Sequence, residues 1–386
     1  MAAALTSRCN RGVAEAFSLK DHLFNADTVG RLATEFAAAL PTFDPVRFQA
    51  EVMAGLPDRA LMERMEWIAD CLEPQLASDF PTLAAQLEAA MPPPLDPTRR
   101  DDDFGHFIHA MPGILAVRHG LEHHRERALD LIHAATQRFS MEFYIRPFLN
   151  RWPEQTLARL TRWADDENYH VRRLVSEGTR PRLPWARAVS LLPEQTLPLL
   201  TRLHADPTRY VTRSVANHLN DIARRDPDLV IATLRNWADE GRQGARELQW
   251  ITRHALRVLV KQGHSGALSF LGYRDDLRIE ADLQLAEQVH IGDLLEITCE
   301  LRAAQSCPVM VDYRIRFVRP GGKYVEKVFK LRATEVAARQ PLQLAKRHRL
   351  KGDATTFRLY PGAHRISLQV NGRDVAQADF ELLPAR

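Results

Sequence analysis

Apolar residues recur with two different periods along this chain, and the change between them divides the chain into two parts. Up to about residue 272 the apolar positions return every three or four residues, which is the spacing of an amphipathic helix. From Tyr273 onward they alternate with polar positions, which is the spacing of a half-buried strand. The pattern predicts a helical region followed by a smaller β domain.

The helical region is broken into segments whose ends carry Pro, Asp or Asn, residues that commonly begin or end helices. A run of prolines at 92–94 and an acidic run at 101–103 mark a longer loop. The helices expected up to residue 165 are 28–39, 46–56, 61–76, 113–122, 126–138, 142–149 and 154–165.

A repeat of 40 residues lies in the middle of the chain. Segment 193–215 matches segment 153–175 at 12 of 23 positions, and both open with Pro-Glu-Gln-Thr-Leu and close with Val-x-Arg-x-Val. Arg173, Arg213 and Arg253 are therefore spaced 40 residues apart, although the third copy is weaker. A period of about 40 residues is typical of HEAT- and armadillo-like helical repeats. We expect a stack of helix pairs whose concave surface carries arginines.

The overall net charge of +3 hides an asymmetry between segments. Residues 1–137 carry 12 basic and 20 acidic residues, a net of −8, whereas 138–260 carry 20 and 14, a net of +6, and 261–386 carry 20 and 15, a net of +5. A basic concave surface is typical of proteins that bind a phosphate backbone. A solvated, arginine-rich surface without a ligand fits the same counts equally well.

The C-terminal part of the chain predicts a β-sandwich of the immunoglobulin-like kind. Inward positions such as Leu295, Ile297 and Cys299 alternate with polar ones, and the same alternation returns at 309–317 and 366–370. Segments 320–322 and 371–372 have the composition of hairpin turns. The expected domains are a flexible N-terminus over 1–16, a helical-repeat domain over 17–272 and the β-sandwich over 273–386. The basic block 346–351 is either a loop that touches phosphate or a solvated strand edge.

Composition excludes several classes of protein. The chain is 45% hydrophobic and 26% charged, and it contains no run of 18 apolar residues and no signal-peptide pattern, so we expect a cytoplasmic protein without a membrane segment. Its four cysteines lack metal-ligand spacing, which favours reduced thiols over a disulfide framework or a zinc site. No glycine-rich phosphate loop and no Gly-x-Ser-x-Gly motif occur.

Three acidic residues are candidates for chemistry because they occupy the repeat helices together with arginines. Glu142 interrupts an apolar segment, Glu177 follows Arg173 by one helical turn, and Asp221 follows Arg213 by about two turns. If equivalent helices line one groove, three carboxylates converge there. The alternative for each of them is an ordinary salt bridge to a neighbouring repeat arginine.

The tryptophans are expected to differ in role. Trp163, Trp237 and Trp250 have helical spacing, which indicates core positions. Trp185 instead follows the segment 180–184, which contains two prolines and reads as a loop between helices. A large aromatic side chain in such a loop is able to stack on a base or sugar.

With these features together, the chain resembles the DNA alkylation repair glycosylases built from HEAT-like repeats, and specifically the AlkC-type branch that adds an immunoglobulin-like C-terminal domain. The resemblance rests on segments 17–24, 139–149, 170–185 and 215–222. It implies removal of 3-methyladenine and 3-methylcytosine from double-stranded DNA, which leaves an abasic site. It also implies a monomer without a metal or other cofactor, associated with the nucleoid during repair.

The resemblance also implies site residues. Its acidic positions are Glu142, Glu177 and Asp221, with Asp226 and Asp228 as open alternatives to the third. The residues expected to contact DNA are Arg146, Arg173, Arg180, Trp185, Arg213 and Arg253.

The residues themselves favour simple hydrolysis over lyase chemistry. A base methylated at N3 is cationic and leaves readily, so the sugar becomes oxocarbenium-like and a fixed carboxylate stabilises it. A lyase needs an amine that forms a Schiff base with the sugar. Between Lys20 and Lys261 the chain contains no lysine, so a monofunctional glycosylase is expected. The competing hypothesis is a helical-repeat scaffold that binds nucleic acid or protein and catalyses nothing.

Overall fold

The computed structural model describes residues 18–99, 104–274, 276–352, 354 and 357–386. The N-terminal stretch 1–16 that we expected to be flexible and the acidic run 101–103 lie outside these residues. The chain forms two compact units, of which one ends at Val211 and the other begins at Thr212. The domain boundaries at 16/17 and 272/273 stay predictions.

The first unit is helical throughout. A 3₁₀ turn at Glu73–Gln75, another at Phe107–Ala110 and a π turn at Ala116–Gly120 join some of its helices. The helices are α1 (Leu19–Leu23), α2 (Ala26–Ala39), α3 (Pro45–Gly55), α4 (Leu61–Leu72), α5 (Phe80–Ala89), α6 (Met111–Leu115), α7 (Arg125–Thr136), α8 (Ile145–Arg151), α9 (Pro153–Trp163), α10 (Tyr169–Gly178) and α11 (Pro193–Leu203).

Capping side chains explain where several of these helices begin. Asn25, Asp44, Asp79 and Asn168 each stand just before a helix, and their side chains accept hydrogen bonds from backbone N–H groups of its first turn. These N–H groups have no partner within the helix, so a capping oxygen there contributes about 1 kcal/mol. Sequence patterning missed α5, although Asp79 and the proline at its first turn are both helix-start signals.

The predicted repeat is confirmed, and each of its two copies contains a pair of helices. Pro153 and Pro193, 40 residues apart, open α9 and α11, and in both helices the apolar face is buried. Tyr169 opens α10, and Arg209 opens α12 (Arg209–Ala223) at the equivalent position of the next copy. Each helix pair buries its apolar stripe only when it stacks on the neighbouring pairs, which is the physical basis of a solenoid.

One expected helix begins later than predicted. The sequence predicts Glu142 within a helix over 142–149, but α8 starts at Ile145 and Glu142 lies in the turn before it. Just upstream, the fully buried Phe139 pairs with Gly105 in a short antiparallel bridge, so the backbone is extended there. Glu142 is therefore placed by a turn held against the core rather than by helical spacing.

The second unit contains the end of α12, four more helices and eight strands. The helices are α13 (Pro227–Glu240), α14 (Ala245–Ala255), α15 (Arg257–Lys261) and α16 (Ser265–Phe270). The strands are β1 (Ile279–Leu285), β2 (Gln288–His290), β3 (Leu294–Ala303), β4 (Cys307–Val318), β5 (Tyr324–Val336), β6 (Leu342–Arg349), β7 (Gly362–Val370) and β8 (Arg373–Leu383).

The strands form two sheets that enclose a common core, as the sequence predicted. One sheet has the order β1-β3-β6 and the other the order β2-β8-β7-β4-β5, with antiparallel pairing except between β2 and β8. Leu295 and Ile297 of one sheet pack with Tyr313, Ile315 and Ile366 of the other. The alternation of buried and exposed residues along β3 and β4 is the pattern expected of a sandwich.

The predicted turns and the basic block are also located. Asn371 and Gly372, both with positive φ, form the two-residue turn between β7 and β8. The segment 320–322 forms a short 3₁₀ turn between β4 and β5. Of the two alternatives for the basic block, the structure supports the strand edge, because residues 346–349 belong to β6 at the border of the three-stranded sheet.

Buried side chains agree with the expected core. Trp163 and Trp237 are buried, whereas Trp250 is half-buried and stacks on His254. Cys71, Cys299 and Cys307 are free thiols in the interior, and burial raises the pKa of Cys299 to about 11. Among the described residues no helix combines the length and the apolar character that crossing a membrane requires.

Candidate active site

Glu142 is held in its turn by two donors that share one carboxylate oxygen. Arg173 Nη1 donates to Glu142 Oε2 at 2.7 Å, and Ser140 Oγ donates to the same oxygen. Arg173 Nη1 also donates to Ser140 Oγ at 2.8 Å, which closes a three-residue network. Glu142 Oε1 accepts no hydrogen bond from any residue that the structure describes. This carboxylate is therefore oriented through one oxygen and has the other available.

Arg173 lies between two acids. Its Nη2 is 3.8 Å from Oε2 of Glu177, which follows it by one turn of α10, while its Nη1 binds Glu142. Burial alone would lower the pKa of Arg173, but the charges around it, Glu142 foremost, outweigh burial and raise that pKa above the ordinary value of a guanidinium. Arg173 is thus a permanent cation that joins the two carboxylates.

Glu177 has a second cationic partner. Arg180 Nη1 donates to Glu177 Oε1 at 2.6 Å, and the side chains of both residues are largely buried. Glu142 and Glu177 are each only 5% exposed. Taken together, Glu142, Glu177, Arg173 and Arg180 form a buried cluster of two acids and two arginines, which we call the acid–arginine cluster. Its formal charges sum to zero.

Two aromatic rings complete the surroundings of Arg173. The centre of its guanidinium is 4.5 Å from the ring centroid of Tyr210 and 5.8 Å from that of Phe104. A guanidinium over an aromatic face gains electrostatic energy of about 0.5 to 2 kcal/mol. These rings restrict Arg173 to the conformation that reaches both carboxylates.

The close packing of α10 on α8 brings the acids together. Gly178 stands next to Glu177, and a Cβ at this position would lie only 2.5 Å from Cγ2 of Ile145 at the start of α8. Only glycine allows the end of α10 to approach the first turn of α8 this closely. As a result, Glu177 at the end of α10 lies beside the turn that carries Glu142.

Arg146 is fully buried and binds backbone carbonyls. Its Nη1 donates to the carbonyls of Gly178 and Arg180, both at 2.9 Å, and its Nε donates to the carbonyl of Arg187 at 2.5 Å. The side chain therefore holds the start of the loop between α10 and α11 against its middle. Its predicted contact with DNA stays a prediction, as do those of Arg173 and Arg180, since the structure shows their bonds to protein groups.

That loop presents Trp185 to solvent. Trp185 is 67% exposed, and its backbone φ is +63°, a value that non-glycine residues rarely adopt. The neighbouring Leu183 is buried and anchors the loop. An exposed tryptophan in a strained backbone conformation is a feature found at binding sites more than in ordinary loops.

The remaining predicted residues lie in the second unit. Asp221 is buried in α12 together with the partly buried Arg213, and Arg253 is exposed on α14. Of the two alternatives to Asp221, Asp226 caps α13 by accepting a hydrogen bond from a backbone N–H, and Asp228 is exposed in the first turn of that helix. Both have an ordinary role at a helix N-terminus, and the choice of the third acid stays a prediction.

Sequence reasoning missed three members of the site. Ser140 was not distinguished from other serines, although its position two residues before Glu142 places it in the same turn. Tyr210 has a weak signal, because it occupies the repeat position of His170. Phe104 has no signal in the sequence, since its contact with Arg173 joins segments far apart in the chain. Within the described ranges no group of three His, Cys, Asp or Glu residues is arranged to hold a metal ion.

Comparison with known proteins places the chain in a family. Residues 280–384 match the family described as "Uncharacterised protein YhaZ, C-terminal Ig-like domain". Over 370 residues the chain is 32% identical to the uncharacterized protein YhaZ of Bacillus subtilis (strain 168), covering 93% of this chain and 98% of that protein. The alkylpurine DNA glycosylase AlkC of Pseudomonas fluorescens, solved bound to DNA containing an abasic site analog, is 31% identical, with a TM-score of 0.84 over 95% of this chain and 99% of that one.

The chain belongs to the AlkC family. The expected resemblance is therefore confirmed, and with it the fold class of a HEAT-like helical solenoid followed by an immunoglobulin-like β-sandwich. The similarity to AlkC extends over both parts of the chain, so the family relationship includes the helices that carry the acid–arginine cluster as well as the β domain.

Proposed function

We propose that this AlkC-family protein is a monofunctional DNA glycosylase for cationic N3-methylated bases, chiefly 3-methyladenine and 3-methylcytosine. It hydrolyses the N-glycosidic bond and leaves an abasic site. The observation that carries the proposal is the pair Glu142 and Glu177 on either side of Arg173, in a fold shared with an alkylpurine DNA glycosylase. A buried acid pair of this kind suits a reaction in which positive charge develops on the substrate.

The charge of the lesion explains why carboxylates suffice. The bond from C1′ to the methylated base breaks with its electron pair moving to the base, which leaves as a neutral molecule. The deoxyribose then carries the positive charge as an oxocarbenium ion, which a fixed carboxylate stabilises. Water adds to C1′, and its proton passes to a carboxylate acting as general base.

The geometry favours different roles for the two acids. Glu142 has an oxygen without a protein partner, so we assign it to stabilise the cationic sugar and receive the water proton. Both oxygens of Glu177 face arginines, so it acts mainly by keeping Arg173 and Arg180 in place. Asp221 is the proposed third acid. In this arrangement Ser140 and Arg173 position Glu142 rather than contact the substrate.

DNA contacts are assigned by exposure. Trp185 extends from its loop and is proposed to pack on the sugar or the edge of the lesion. Arg213 and Arg253, which repeat the position of Arg173, are proposed to hold phosphates. Double-stranded DNA is the proposed partner, and the protein acts as a cytoplasmic monomer at the nucleoid without a cofactor.

Hydrolysis without lyase activity follows from the absence of lysine. Residues 21–260 contain no lysine, and therefore no ε-amine in the helices around the acid–arginine cluster. A Schiff base with the opened sugar requires such an amine. The product is accordingly an intact abasic site rather than a nicked strand.

The decisive experiment is release of free base from DNA. Duplexes that contain 3-methyladenine or 3-methylcytosine are incubated separately with the protein, and the products are separated by chromatography. The proposal predicts release of both bases with the strand left uncut. Glu154→Gln, which changes an exposed glutamate of α9, serves as the matched control and keeps full activity.

The competing scaffold hypothesis has one observation in its favour. Each arginine of the acid–arginine cluster pairs with an acid, as in an ordinary structural network. If wild-type protein binds duplex DNA but releases neither methylated base, the scaffold is the correct function and the catalytic assignment of Glu142 is wrong.

A further inference from the structure

A cavity of about 450 Å³ lies within the second unit, far along the chain from the acid–arginine cluster. Its walls come from α14, α15, the segment after α16 and the outward face of strands β4 and β5. Its volume is within the range of small-molecule sites, about 300 to 1,000 Å³. Four basic side chains line it, Arg253, Arg257, Lys261 and Lys330.

The positive charge of this cavity is poorly compensated. Arg257 donates to Asn217 and to the carbonyl of His254. The other three cations form no hydrogen bond or ion pair with any residue in the described part of the chain. One acid, Asp312 of β4, also faces the cavity, so the lining carries four positive charges and one negative, a net of +3. A concave surface with this imbalance concentrates anions.

Asp312 does not neutralise the basic side chains fully. It stands at an outward position of β4, between buried residues of the sandwich core. Burial raises its pKa to about 6, although Lys330 and Lys261 act in the opposite direction. Near neutral pH the carboxyl group is thus ionised at a cost, and replacing it with a neutral group makes the cavity more positive.

The rest of the lining is apolar. Val260, Leu271, Met310 and Val328 surround the basic groups, and Tyr273 adds an aromatic ring. Apolar walls lower the local dielectric constant and so strengthen the attraction between an anion and the cations. They also accept the apolar or planar body to which an anionic group is attached, such as a sugar and base.

Close backbone packing keeps the walls at a fixed distance. A Cβ on Gly372, in the turn between β7 and β8, would lie 2.8 Å from Cα of Gly263, which follows α15. In the same turn, Asn371 Nδ2 donates to the carbonyl of Arg274 at 2.7 Å. The helices and the sheet on either side of the cavity are therefore held together by contacts that leave no room for a larger residue.

We propose that this cavity is a phosphate-binding site, in which Arg253, Lys261 and Lys330 hold the phosphate group. A phosphate monoester carries about −1.5 to −2 charges near neutral pH, which matches a net of +3 better than a single carboxylate does. The phosphate belongs either to a free nucleotide, as a monoester, or to the backbone of a DNA strand, in which each diester carries one negative charge and neighbouring phosphates add theirs. The DNA alternative rests on the proposed function, whereas the free-nucleotide alternative does not.

The test compares two double variants of the full chain that lose the same charge. Lys261→Gln with Lys330→Gln removes two cavity lysines, while Lys323→Gln with Lys346→Gln removes two exposed lysines of the β domain outside the cavity. Binding of thymidine 5′-monophosphate is measured by calorimetry. Affinity for an undamaged duplex is measured by fluorescence anisotropy across a salt series.

The two sources give different results. For a free nucleotide, the Kd of thymidine monophosphate rises at least tenfold in the cavity variant alone, and duplex affinities remain equal. For DNA, thymidine monophosphate binds neither the wild type nor the two double variants. The slope of the logarithm of the duplex binding constant against the logarithm of salt concentration falls by about one in the cavity variant relative to the control variant. If the two double variants match in both measurements, the cavity is not a phosphate site.

A third variant tests the sign of the charge effect. Asp312→Asn removes the negative charge and is expected to tighten phosphate binding severalfold at pH 7.5. Weaker binding would mean that Asp312 recognises a cationic group, and the inference would be wrong. Base release by the wild type is scored separately, so a failure of this inference and a failure of the glycosylase proposal are distinguishable.

Discussion

Arg173 donates a hydrogen bond of 2.7 Å from Nη1 to Oε2 of Glu142, which joins α10 to the turn before α8. Both side chains are almost completely buried. Each charge is stable in the interior only because the other is present, since an isolated buried charge costs several kcal/mol. The pair is therefore part of the fold of the first unit as well as the centre of its candidate site.

The first prediction concerns stability. Arg173→Ala leaves Glu142 and Glu177 without their shared cation, so we expect the free energy of unfolding to fall by about 3 to 5 kcal/mol. Urea denaturation followed by circular dichroism measures the change. Arg162→Ala, an exposed arginine of α9, is the control and changes stability by less than about 0.5 kcal/mol. Equal midpoints for the two variants would show that the buried pair contributes nothing.

The second prediction separates chemistry from binding at the acids. Glu142→Gln keeps the shape of the side chain and its bond from Ser140 but removes the negative charge. The single-turnover rate of base release is expected to fall about 100-fold or more, as is typical for loss of a transition-state charge contact. Glu177→Gln is expected to abolish release, because Glu177 keeps Arg173 in place and Arg173 orients Glu142. Affinity for abasic-site DNA should stay within about threefold of wild type for both variants; a large loss of affinity would contradict a catalytic role.

The third prediction assigns Ser140 a positioning role. Ser140→Ala removes one of the two donors that orient Glu142, so kcat is expected to fall about tenfold with KM nearly unchanged. Ser140→Thr retains the hydroxyl and should restore most of the rate. If Ser140→Thr is as slow as Ser140→Ala, packing rather than the hydrogen bond is responsible.

The fourth prediction concerns Trp185. Trp185→Ala is expected to weaken binding of lesion-containing DNA by about 1 to 3 kcal/mol, the usual contribution of an aromatic ring that stacks on a base. Its melting temperature should be unchanged, because the side chain is 67% exposed. Leu192→Ala, also exposed in this loop, should bind normally. Trp185→Gly, which relieves the positive φ, should be at least as stable as wild type.

The fifth prediction is a pH dependence of stability from Asp312. Its pKa is raised from 3.8 to about 6 by burial, so the folded state binds a proton more tightly than the unfolded state does. This group therefore destabilises the protein above pH 6, and the penalty disappears as pH falls towards 4. Asp312→Asn should raise the free energy of unfolding by about 1 to 2 kcal/mol at pH 7.5 and have no effect at pH 4. A gain that is constant with pH would exclude this cause.

Periodic features of the fold were predictable from the sequence because each depends on local geometry. The 40-residue repeat predicted α9 and α11, and the alternation at 295–301 predicted β3. Glu142 was recognised as unusual because it interrupts an apolar segment. Its place in a turn was not predictable, because the bridge between Phe139 and Gly105 that shapes the backbone there joins residues 34 positions apart.

The partners within the site depended on packing rather than on spacing. The i,i+4 relation of Arg173 and Glu177 is visible in the sequence, but the bond from Arg173 to Glu142 joins residues 31 apart and requires α10 to lie against α8. The burial of Arg146, which the sequence suggested as a DNA contact, likewise appears only when the loop after α10 closes over it.

The sequence by itself determined the two classes of secondary structure, the repeat, the absence of lysine between residues 21 and 260, and which acids are candidates for the site. Each of these features depends on residue types and on their spacing along the chain, and not on contacts with distant segments. Only the tertiary structure decided which oxygen of Glu142 is occupied, which arginines are buried among carbonyls and acids, and where uncompensated positive charge collects. Burial and charge pairing arise from contacts between segments far apart in the chain, so the local pattern of residues does not predict them.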